Sequence, residues 1–168
     1  MKKQELEALV LQHASVGRQM MIKQHGSFHQ QTLLIDKRGN RHVIVIADDV
    51  LHAPKMRQLL TVYSLSIGGA DAILIMSDAR MKAYEPGSAE SRRIAEAAAQ
   101  GRYLIADDAE NQEVLIVAGR SREHRALCLN PYQRQAGDVI VFDSPEASLT
   151  IDDEAELNLI PDIWPRVH

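Results

Sequence analysis

Residues 112–129 read Gln-Glu-Val-Leu-Ile-Val-Ala-Gly-Arg-Ser-Arg-Glu-His-Arg-Ala-Leu-Cys-Leu. Two apolar, β-rich runs, 112–118 and 124–129, flank the polar loop Gly119-Arg120-Ser121-Arg122-Glu123. That pattern predicts a β-hairpin. A second hairpin pattern stands upstream. Residues 29–36 end in Leu33-Leu34-Ile35, the turn Asp36-Lys37-Arg38-Gly39-Asn40 follows, and Arg41–Ala47 supplies the returning strand. Between the hairpins, Ala72–Met76 is an unbroken apolar run, the signature of a strand buried on both faces. Asp138–Phe142 predicts a last strand, and Tyr103–Ala106 a very short one. Pro131 is expected to end the strand that begins at His124.

Helical periodicity fills the gaps. In 3–25, Leu6, Leu9, Val10, His13, Gly17, Met20 and Met21 fall near one face at three- and four-residue steps. Gly17 costs about 1 kcal/mol of helix propensity relative to Ala, a cost explained if a neighbour approaches closely there. Gly26 is a natural stop. Pro54 suits a first helical turn, Met56, Leu59, Leu60, Tyr63 and Ile67 then recur at helical spacing, and Gly68-Gly69 closes the helix. Ser88 reads as an N-cap with Glu90 in the favourable first turn, opening an Ala-rich helix that runs to Gly101. The order is α-β-β-α-β-(α)-β-β-β. It predicts an α+β fold, with a mainly antiparallel sheet of five or six strands packed with two amphipathic helices. The tetrapeptide Ile-Ala-Asp-Asp at 46–49 and 105–108 has no flanking similarity and is read as coincidence.

The chain has 168 residues, 19 Lys+Arg and 23 Asp+Glu, for a formal charge of −4. Its length favours one domain, expected over 1–142, with 143–168 as a docked acidic C-terminal tail. Residues 143–168 hold seven carboxylates against Arg166, a charge of −6, so the first 142 residues carry +2. The seven aromatic residues are too few for a row of base-stacking platforms. The lone Cys128 excludes an intramolecular disulfide and a cysteine-cluster zinc site. It is read as a small core residue. The N-terminus lacks the apolar segment of a secretory signal. The longest apolar runs fall far short of the roughly 20 residues that span a bilayer. A cytoplasmic protein without a membrane partner is the expectation.

The element order resembles roadblock and profilin-like domains, which set a central antiparallel sheet between helices. That likeness implies an interaction domain and no catalytic residue. The stretches Leu33–Val45, Ala70–Ala79 and Asp107–Arg120 also resemble a group of small bacterial and phage proteins without an assigned activity. That likeness covers most of the first 140 residues and carries over no site.

Three functional readings follow. The leading one is a non-enzymatic binding module that self-associates, with a homodimer mate or another protein as partner and no cofactor. Its interaction tail is Leu157, Ile160, Ile163 and Trp164, whose apolar content is too high for a purely solvating segment. The second is a metal-dependent enzyme. Asp48, Asp49 and His52 lie within five residues at a strand end, and Asp107 joins them if two strand ends adjoin; zinc needs three or four such ligands converging. The spacing matches no His-Glu-x-x-His pattern, and a solvated loop near a helix start explains it equally. The third, less favoured, is nucleic-acid binding, with Arg120, Arg122 and Arg125 at the second hairpin tip contacting phosphates. No Gly-x-Ser-x-Gly, Gly-x-Gly-x-x-Gly or Walker pattern is present.

Overall fold

The computed structural model describes residues 1–26, 29–45, 53–81, 87–99, 111–150 and 160–164. Its elements are α1 (Lys3–Lys23), β1 (Gln31–Asp36), β2 (Arg41–Val45), α2 (Ala53–Ser66), β3 (Ala70–Met81), α3 (Ala89–Ala99), β4 (Gln112–Ser121), β5 (Arg125–Gln135) and β6 (Val139–Phe142). The strands form one six-stranded sheet in the order β2-β1-β3-β4-β5-β6. Every neighbouring pair is antiparallel. β2 and β3 both oppose β1, so they run parallel to each other. Such a pair needs a crossover, and α2 supplies it. The fold is α+β, as the sequence pattern predicts. Tyr103–Ala106 lies outside the described residues. Among the described residues no helix is long and apolar enough to cross a membrane.

Strand alternation explains the apolar runs. On one face, Leu33, Ile35, Ala72, Leu74, Met76, Leu115, Val117, Ala126, Cys128 and Tyr132 pack under Leu6, Val10, Ala14 and Met21 of α1. On the other, Leu34, Ile73, Ile75, Ala118 and Leu127 meet Met56 and Leu60 of α2. Successive residues of β3 therefore enter different cores, and both must be apolar. The helix face that α1 buries runs Leu6, Val10, Ala14, Gly17, Met21; Leu9 and Met20 flank it.

Two expected strand ends are corrected. β3 continues past Met76 to Met81 because β4 pairs with it to the end, Ser77 through Met81 opposite Ile116 through Gln112. β1 stops at Met76, so polar Ser77 and Asp78 are tolerated where less of the sheet must be covered. Pro131 does not end β5 but sits inside it, opposite Val114. Its carbonyl accepts from the Asp143 N–H at 3.0 Å. A strand residue's N–H and C=O point to the same side, so the donor that proline lacks faces the very end of β6, where one ladder bond is at stake. The first half of β5, beyond the reach of β6, is bordered by the returning chain. Thr150 N–H donates to the Leu127 carbonyl and the Thr150 hydroxyl accepts from Leu129 N–H.

α1 lies close on the sheet because both surfaces carry glycine at the contact. A methyl group added at Gly119 would stand 2.5 Å from Cγ2 of Val10 and 3.1 Å from Cδ1 of Leu6; one at Gly17 would collide with the Met76 side chain. Met76 can swing aside, whereas β-branched Val10 in a helix has essentially one rotamer. Gly119→Ala is therefore expected to cost about 1–3 kcal/mol by overpacking. The loss should appear as a lower urea midpoint at unchanged slope and shrink in a Val10→Ala background. An unchanged midpoint would show that α1 does not approach β4 this closely.

Candidate functional site: the outer face of α2 and the basic groove beside it

α2 carries apolar residues on two sides. Met56, Leu60 and Ser64 recur every four residues and are buried. Met56 and Leu60 enter the second core, and the Ser64 hydroxyl accepts from Ala70 N–H at 2.8 Å. The sequence pattern places Leu59 on this inward face, but Leu59 points outward. It joins Val62 and Leu65 in a stripe at three-residue steps that is 42%, 62% and 70% exposed. Leu59 stands about 100° round the helix from Leu60, and it is Leu60 that lies against the sheet, fully buried. Gly68 and Gly69 end the helix with φ of 83° and 103°, a region open to glycine at little cost.

The tip of the β4–β5 hairpin and the end of the chain meet beside α2. Ile160 and Ile163 are buried in the second core against residues of β1, β3, β4 and α2. Trp164 is half-buried, and its indole N–H donates to the Ala70 carbonyl at 2.9 Å. Arg120 fastens the segment. Its guanidinium donates to the Ile160 carbonyl at 3.0 Å, pairs with Asp162 at 3.1 Å, and stands 5.8 Å from the centre of the Trp164 ring. Its side chain is only 14% exposed. Burial pulls its pKa below the usual arginine value; Asp162 opposes the shift, and Arg125 and Arg57 add to it. Thus Arg120 is engaged inside the molecule, Arg125 faces it across the hairpin, and Arg122 is exposed at the tip. Leu157, the fourth expected tail residue, lies outside the described residues.

Between α2, the Gly68-Gly69 turn, the β1–β2 turn, the hairpin tip and Trp164 runs a groove of about 1150 Å³. Lys37, Arg57, Thr61, Arg122 and Trp164 line it. Lys37 arrives from the β1–β2 turn, its Nζ lying beside Gly69. Among the described residues no carboxylate forms an ion pair with Lys37, Arg57 or Arg122. Asp162, also on the wall, is already neutralised by Arg120. Only Arg122 of the groove cations stands among the arginines singled out from sequence. Lys37 and Arg57 are far away along the chain and carry no local motif.

Two other polar clusters are tied into the scaffold. Asp36, in the first hairpin turn, accepts from the N–H groups of Arg38 and Asn40 at 2.8 and 2.9 Å and from the Asn40 side-chain amide at 2.8 Å; the His42 ring stands at 3.2 Å. The Asn40 amide above all, then the backbone N–H groups and His42, holds the Asp36 carboxyl well below the usual carboxylate range, against the opposing pull of burial. At the far end of β3, the buried Tyr132 hydroxyl donates to Asp78 at 2.7 Å. Arg134 pairs with Glu113 at 2.9 Å and Asp78 at 3.5 Å, and reaches the Gly26 carbonyl just past α1 at 3.4 Å. Burial, with Asp78, pushes the Tyr132 phenol up. This network fixes the end of α1 to the sheet. Burial likewise pushes the Cys128 thiol up, its Sγ donating to the Ser148 carbonyl at 3.0 Å, the opposite of an activated nucleophile.

Asp48, Asp49, His52 and Asp107, the candidate metal ligands, lie outside the described residues. Among the described residues no group of three or more His, Cys, Asp or Glu side chains is placed to hold a metal ion. Compared with protein-family models, curated proteins and solved structures, the chain matches none.

Two outcomes are expected. Ile160→Ala should cost about 2–5 kcal/mol in denaturant unfolding, the cost of truncating a packed core residue; a solvated tail would lose within about 0.5 kcal/mol. For Asp36 the folded pKa lies below the unfolded value of about 3.9, so its contribution is full above that value and is lost as pH falls. The urea midpoint should therefore drop on acidification below about pH 4, and Asp36→Asn should flatten part of the drop. An identical pH profile for the variant would remove Asp36 from the account.

Proposed function

We propose that the protein is a non-enzymatic interaction module that self-associates through the outward face of α2. The observation that carries this reading is the Leu59, Val62 and Leu65 stripe, three large apolar side chains exposed at three-residue steps on the outward side of the helix. Scattered surface leucines need no explanation, but a contiguous stripe does.

A second copy is the occupant that fits. An apolar stripe with three-residue steps is self-complementary, so two copies of α2 can pair about a two-fold axis. Charge favours the antiparallel arrangement. The N-terminal half of α2 carries Lys55 and Arg57, its first turn has no acidic residue and its last turn no basic one. Within one helix, those cations stand at the positive end of the dipole. Across an antiparallel pair, they meet the negative end of the partner helix, which is otherwise uncompensated. The element order, which resembles roadblock and profilin-like interaction domains, agrees with this reading.

Light scattering on the purified full chain tests it. The parent is expected to run as a dimer that dissociates on dilution, and Leu59→Asp combined with Val62→Asp as a monomer that melts no lower than the parent diluted to its monomeric state, since both side chains are exposed. A monomeric parent at high concentration, or a variant that remains dimeric, contradicts the proposal.

A further inference from the structure

We propose that the groove between α2, the β4–β5 hairpin tip and Trp164 is a binding site for a small organic polyphosphate with an aromatic body, the class of nucleoside di- and triphosphates. Every residue of the site comes from a single subunit; Val62 and Leu65 of the α2 stripe also line the groove, so the site adjoins the proposed self-association face.

Three features lead to that class. The first is charge. Lys37, Arg57 and Arg122 reach the groove from three separate elements, and among the described residues none of them is paired with a carboxylate. Like charges held on facing walls repel one another. Arg57 and Arg125 already act on Arg120 in that sense. A bound polyanion removes the repulsion, and arginine forks match phosphate oxygens in bidentate geometry. Charges on three walls call for more than one phosphoryl group, because a single monoanion leaves two of them unsatisfied.

The second feature is the wall. Trp164 and Ile163 give one side an apolar lining, and the indole is held in place by its N–H bond to Ala70 at 2.9 Å. A fixed aromatic surface next to cations suits a ligand that is flat at one end and anionic at the other. The third is size. A volume of about 1150 Å³ exceeds what inorganic phosphate fills and suits a ligand of drug-like dimensions. The Thr61 hydroxyl on the groove wall donates to the Arg57 carbonyl at 2.8 Å. Its oxygen keeps acceptor capacity toward a ribose-like hydroxyl.

The assignment has a built-in reporter, since Trp164 is the sole tryptophan of the chain. Titration of the full chain with ADP, inorganic pyrophosphate and adenosine is read by calorimetry and by Trp164 emission. ADP is expected to bind saturably and perturb the emission, pyrophosphate to bind more weakly and compete, and adenosine alone to give no saturable signal. Arg57→Gln and Arg122→Gln should each weaken ADP by at least about tenfold, the loss of one charge-assisted hydrogen bond. Lys37→Gln provides a third, independent variant should either arginine variant fold poorly. Arg41→Gln, whose native side chain reaches Gln12, should bind like the parent. The proposal is overturned by the absence of saturable ADP binding at millimolar concentration. Groove variants that bind as the parent does also overturn it. Equal affinity for pyrophosphate and ADP removes the aromatic wall from the site. Preference for a single-stranded oligonucleotide over ADP replaces the site with a nucleic-acid interface.

Discussion

An antiparallel sheet whose central strands are apolar on both faces has to be covered twice. β3 and β4 impose that constraint. Ala72, Leu74 and Met76 face one way and Ile73 and Ile75 the other, with Leu115 and Val117 opposed by Ala118 in the same manner. α1 supplies most of the described cover on the first face, with Met1 and Ala147 beside it, at a distance short enough to require Gly17 and Gly119. α2 supplies only part of the second cover, and Ile160 and Ile163 supply more of it. The Ile160–Trp164 segment is thus a structural layer, and the groove lies between it and α2, with Arg120 and the Trp164 indole holding the segment in place.

The same arrangement sorts the charges. Arg120, on the α2 side of β4, is spent on holding Ile160 and Asp162. Arg18 is spent on the opposite face, stacked over Phe142 at 4.4 Å and bonded to the Ser144 carbonyl. Arg134 fixes the far end of α1. Lys37, Arg57 and Arg122, by contrast, line one groove. The slightly basic character of the first 142 residues is therefore unevenly used, with part of it locking the scaffold and part facing a cavity.

Much of the fold is legible in the residues because alternation and turn chemistry are local. Leu33–Ile35, Arg41–Val45, Ala72–Met76 and the two polar loops announce strands and hairpins, and Gly68-Gly69 marks the end of α2. Features set by a distant partner are not legible. Polar Ser77 and Asp78 belong to β3 only because β4 extends beside them. Pro131 stays in β5 only because its missing donor faces the end of β6. Leu59 reads as core by spacing, and geometry alone puts it with Val62 and Leu65. The arginines of the hairpin tip stand out in sequence, but the engagement of Arg120 depends on Asp162, some forty residues away. Lys37 and Arg57 have no signal at all before the fold brings them together.

The Ile160–Trp164 segment is part of the cooperative fold, buried in the second core through Ile160 and Ile163. Because Trp164 is the only tryptophan and lies in that segment, one denaturant titration tests it, followed in parallel by Trp164 fluorescence and by backbone circular dichroism. Coincident transitions are predicted, as required when both probes report one all-or-none unfolding. A fluorescence transition that is complete at lower denaturant, with the backbone signal still native, would contradict the account.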